Sequence, residues 1–189
     1  MKKLLALLLA SLMIFALVAC GADEKKEDKK ETVEIASAVE ILEKVWAAYG
    51  DEQKFFAMGG DGENPVDNAP GAFNIANAEL LAAQLICNAD AAAMIDSAAS
   101  LFHAMNANTF TGAAYAIKEG SDAKAFITTM KTAIQGNQWM CGFPEKLLTA
   151  TIGDGYVVVA FGNGEIIETF KGHLEAQYEM AEIEVEAIA

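Results

Sequence analysis

Beyond Val33 the apolar residues fall into two kinds of run, one at helical spacing and one continuous or alternating. Ser37-Ala38-Val39-Glu40 has the form of a capping box, and Ile41, Leu42, Val45, Trp46 and Tyr49 follow along one helical face until Gly50 stops it. The stretch 51–76 is rich in Gly, Pro, Asn and Asp and reads as irregular. Asn77 then caps a helix over 78–86, and the alanine-rich run from Asp90 to Asn106 reads as another helix. Phe110 to Lys118 reads as a buried strand. Ser121 opens a helix whose Phe126, Ile127, Met130 and Ile134 form one stripe, closed by Gly136. Leu147–Ile152 and Tyr156–Phe161 are strands joined by "GDG", a hairpin signal. After "GNG" comes a helix carrying Ile167, Phe170, Leu174 and Tyr178, and the acidic tail 181–189 reads as frayed helix. The expectation is an α+β fold: N-terminal helices, then a small, mostly antiparallel three-stranded sheet in β-α-β-β-α order, with helices on one face.

The first residues follow a different pattern. Lys2 and Lys3 precede an almost unbroken apolar run from Leu4 to Val18, the layout of an export signal. The run is shorter than the roughly 20 residues a spanning helix needs. It ends in Leu17-Val18-Ala19-Cys20, which resembles the lipobox of bacterial lipoproteins. That resemblance implies cleavage before Cys20, which becomes the new N-terminus, with lipid attached to its thiol. Two or more chains give stable attachment where one does not. The expected organisation is a signal over 1–19, a charged tether over 20–32, one domain over 33–180 and an acidic tail. The expected location is the extracytoplasmic face of the cell membrane, held by lipid.

A second resemblance lies in the folded part. The run "LFHAMNANTFTGAAYAI", and further on "QWMCGFPEKLLTATIGDGYVVVAFG", is similar to uncharacterised lipoproteins of anaerobic Gram-positive bacteria, a domain of unknown function with a β-α-β-β core. It implies localisation and fold and carries no activity, cofactor or site.

Charge narrows the function classes. The net charge is −14, and every one of the 13 basic residues is lysine. Nucleic-acid binding needs a basic footprint and favours arginine, so it is excluded as an expectation. An acidic body is repelled by an anionic membrane surface, which leaves the lipid as the attachment.

Candidate chemistry is sparse. The stretch "NQWMCGFPEK" around Cys141 has no second cysteine two residues away, so it lacks the resolving partner of a dithiol site. It reads as a loop in which Trp139, Met140 and Phe143 plug the open end of the core, with a binding lip formed by Trp139, Phe143 and His103 as the alternative. Export would permit a Cys87–Cys141 disulfide. His103 and His173 lack the close ligand spacing of zinc sites. Asp61, Glu63, Asn64 and Asp67 alternate as oxygen ligands do, but Val66 and Ala72 stand where an EF-hand loop needs Gly and Glu. "FGNGEII" lacks the third glycine of a dinucleotide loop, with Ile167 in its place. No cofactor or metal is expected. The sequence points to a non-catalytic domain that binds a protein or small molecule. The alternative is a cell-envelope hydrolase or thiol enzyme, which would show His103 in a deep polar pocket or Cys141 beside a base.

Overall fold

The computed structural model describes residues 34–188, so the expected export signal, lipobox at Cys20 and charged tether lie outside the described residues. In chain order the elements are α1 (Ala38–Ala47), β1 (Ala57–Gly60), β2 (Pro65–Asp67), β3 (Gly71–Phe73), α2 (Ala78–Leu85) and α3 (Ala89–Ala92). They continue with β4 (Ile95–His103), β5 (Phe110–Ile117), α4 (Ala123–Gln135), β6 (Lys146–Ile152), β7 (Tyr156–Gly162), α5 (Gly164–Gln177) and β8 (Glu182–Ala187). A 3₁₀ turn, Ala107–Thr109, joins β4 to β5.

All pairings are antiparallel, in the order β2-β1-β4-β5-β7-β6-β8, and β3 pairs with β4 further along the edge that β1 uses. The expected three-stranded sheet with helices on one face is therefore corrected to an eight-stranded antiparallel sheet with helices on both. Alternation along the strands shows why both faces are covered. Val158 and Ala160 of β7 pack with Ile41, Leu42 and Val45 of α1 and Ile167, Phe170 and Leu174 of α5. Val157, Val159 and Phe161 pack with Leu81 and Leu85 of α2 and with Phe126, Met130 and Ile134 of α4. Strands buried on two faces read as continuous apolar runs. Burying a side chain such as Phe126 fully contributes about 1.5–3 kcal/mol.

Three segments depart from the sequence reading. The alanine-rich run is mostly β4: Ala98 faces one core and Ala99 and Leu101 the other. Burial between two layers of helices overrides the helix preference of alanine. The stretch 51–76 holds three short strands, and its glycines are where strands approach closely. A Cβ on Gly59 would lie 2.4 Å from Ala69 O, and one on Gly71 would lie 2.6 Å from Gly60 N. The tail holds β8, which pairs with β6 from Glu182 to Ala187 and so belongs to the sheet. Its glutamates at alternate positions blunt an edge strand, and Lys131 of α4 bridges Glu184 (2.8 Å) and Glu186 (3.3 Å).

Helix ends follow side-chain caps. Ser37 Oγ accepts from Glu40 N, while the Glu40 carboxylate reaches back to Ala36 N at 2.7 Å. Asn77 caps α2 through Leu80 N. At α4 the cap is Asp122 rather than Ser121, accepting from Lys124 N at 2.8 Å.

Candidate functional site

Three loops meet at the end of the sheet where β4 stops and β5 begins: residues 104–109, residues 136–145, and the junction at Gly162 and Asn163. The backbone ties them together, with Asn163 N donating to Thr109 O at 2.9 Å and Glu145 N to Gly162 O at 2.8 Å. Gly162 is required by this crossing, because a Cβ there would sit 2.4 Å from Thr109 O.

Two asparagines then fix the loop around Cys141. Asn106 donates its amide to Cys141 O at 2.8 Å. Asn108 donates to Met140 O at 2.8 Å and to Gly142 O at 3.1 Å. Three consecutive carbonyls are thus held by side chains from another loop. The chain meets this by taking Cys141 to φ +62°, a conformation most residues avoid. As a result Met140 and Phe143 stand in solvent, 77% and 78% exposed. The reading of all three large side chains as a plug is corrected: Trp139 alone turns inward, its ring 5.2 Å from that of Phe161. Phe56 and Met105 are exposed at the same end, tied by the bond from Ala104 N to Phe56 O.

Two cavities flank the Cys141 loop. The polar one, about 190 Å³, is lined by Asn106, Asn108, Gly142, Phe143, Glu145 and Asn163 among others. The Glu145 carboxylate accepts from Gly164 N at 2.8 Å, and Asn163 caps Glu165 N. The start of α5 is therefore taken by the protein's own carboxylate, which repels a phosphate there. The second cavity, about 210 Å³, lies on the α2–α4 face. Phe102, Thr111 and Phe161 form its floor, with Gln84, Asn108 and Trp139 around it.

The sequence candidates are scattered relative to this site. Trp139 and Phe143 come together in one loop, but His103 sits on the α1 side of the sheet, stacked on Phe55 at 5.4 Å with Met105 N donating to its Nδ1. The sheet separates it from Trp139. His173 lies against Tyr49 at 4.4 Å and contacts Gln53 Oε1. Both cysteines are free: Cys87 is buried, where burial pushes its thiol up to about 11, and Cys141 is exposed on the Asn-held loop, so the disulfide is not made. Among the described residues no three His, Cys, Asp or Glu side chains converge to hold a metal. The Asp61 carboxylate, a candidate cation ligand, is committed to the N–H groups of Glu63, Asn64 and Asn74.

Sequence reasoning missed Asn106, Asn108, Gln84 and Glu145. Asparagine around a turn signals only the turn; its carbonyl partners lie more than thirty residues away.

Comparison of the chain with protein families, with characterised proteins and with solved structures finds no match to any of them.

Proposed function

We propose that this is a lipid-anchored protein of the extracytoplasmic membrane face whose domain binds a ligand or partner and performs no catalysis. The observation that carries the reading is the Cys141 loop. Apolar side chains as large as Met140 and Phe143 are seldom held out in water by a dedicated hydrogen-bond network unless something covers them. The chain enters the domain at the other end of the sheet, where Tyr156 Oη donates to Ile35 O at 3.3 Å. Neither of these two cavities is lined by His103 or Cys141.

The test compares the wild-type chain with a Met140→Asp/Phe143→Asp variant. Each is incubated with extract of the native cell envelope, and bound species are read by crosslinking and native mass spectrometry. Both side chains are exposed, so the variant should keep its melting temperature and lose at least about tenfold of the retained species. Undiminished retention, or nothing retained by either chain, contradicts the reading.

A further inference from the structure

The lip is an almost uncharged patch on a strongly acidic body. Residues 104–109 and 136–145 carry a single ionised side chain, Glu145, in a chain of net charge −14. Met105, Met140 and Phe143 are exposed there, on loops that Asn106 and Asn108 tie together. Scattered apolar residues are ordinary at a surface, but a group of them held outward marks an interface.

The charges around the lip select its occupant. Lys44, Lys131, Lys146 and Lys171 are each paired with a glutamate of their own. Among the described residues Glu145 has no such pair. Its carboxylate accepts from Gly164 N at 2.8 Å and from the Asn163 amide at 3.4 Å, which fixes it beside Phe143 at the polar cavity. The start of α5 offsets part of that charge and supplies no counter-cation. A second copy of this chain would bring the same net charge and a second Glu145, and like charges facing each other oppose docking. A basic partner is instead drawn toward the acidic body.

We infer that the lip docks a basic protein segment in which Lys or Arg flanks large apolar side chains. The apolar side chains cover Met140 and Phe143, and one cation pairs with Glu145. The inference rests on the binding reading and names the chemistry of the partner.

The test titrates the full chain, in nonionic detergent, with an acetylated and amidated Lys-Phe-Lys-Leu-Lys peptide against a detergent blank. One control peptide carries Glu for every Lys, and the other carries Ser for Phe and Leu. Methionine methyl NMR reads the site locally, because Met140 is exposed in the lip and Met130 is fully buried. Saturable movement of the Met140 methyl is expected, with Met130 unmoved and both controls at least about tenfold weaker. Phe143→Ser, at an exposed position, should keep the melting temperature and weaken binding by about tenfold. Glu145→Gln, which keeps an acceptor for Gly164 N, should weaken it by about two- to fivefold, the range of one exposed ion pair. The inference is overturned if the Met140 methyl stays in place, or if the Glu peptide binds as well as the Lys peptide. Equal binding of the Ser peptide also overturns it, since attraction to the acidic body alone would then suffice. Dimers that form without peptide and vanish in Phe143→Ser would overturn it in favour of a second copy. Failure of the Lys peptide alongside lip-dependent retention from envelope extract would reject this partner chemistry and leave the binding reading standing.

Discussion

Asp61 is 1% exposed, yet its surroundings favour the charged form. Burial by itself raises its pKa, but N–H donors from Asn74, Glu63 and Asn64, together with the Asn64 amide, outweigh burial and hold it below 3.8. One carboxylate thereby fixes the turn after β1 to the end of β3. The sign for stability follows. A folded pKa below the unfolded one contributes stability that is present above 3.8 and is lost as pH falls through the folded value. Asp61→Asn keeps one acceptor oxygen, for Glu63 N and Asn64 N, and turns its NH₂ toward Asn74 N, which is left unpaired, so it should destabilise by about 1–3 kcal/mol near neutral pH. Melting temperatures of both chains measured as a function of pH should converge as pH drops below 3.8. A gap that stays constant in acid would contradict the electrostatic account. The same residue marks a limit of sequence reading. Its place in a Gly- and Asn-rich stretch suggested oxygen ligation, whereas Asn74 N, its partner thirteen positions on, is visible only in the fold.

At the scale of elements, local signals that need no distant partner were legible. The hairpin of β6 and β7, the stripe of α4 and the caps of α1 and α2 follow from spacing and turn chemistry. What was not legible depends on tertiary burial. Ala98 and Ala99 favour a helix by intrinsic preference, but lie in a central strand where only small side chains fit beneath the helices. Gly59, Gly60 and Gly71 read as loop because the crowding that requires them comes from neighbouring strands. In β8 the alternation of Ile183 and Val185 with glutamates was present, but its net acidity masked it. Half of the lip was legible as large apolar residues in one loop; the asparagines that hold it were not. The reassignment of β4 has a direct test. On an exposed helix face Ala99→Leu would be nearly neutral, but at a fully buried strand position it overpacks the core. The expected loss is about 1–3 kcal/mol in denaturant unfolding. An unchanged midpoint would place Ala99 at a surface.

For the whole molecule, address and fold are separate properties of one chain. The compact unit runs from Glu31 to Ala189, and Cys20 lies before it. No helix among the described residues is long and apolar enough to cross a membrane. On the proposed reading, attachment falls to Cys20 and its acyl chains, each buried methylene contributing about 0.8 kcal/mol. A hydroxyl cannot form the thioether, so Cys20→Ser should leave an unprocessed precursor that takes up no labelled fatty acid. Because that position lies outside the folded unit, the melting of the domain and the chemical shifts of both indole N–H groups should match the parent chain. Two readouts then separate the two properties. Normal acyl labelling of the variant would reject the anchor. Lost labelling accompanied by a shifted melting transition would show that the segment before Glu31 contributes to the stability of the fold.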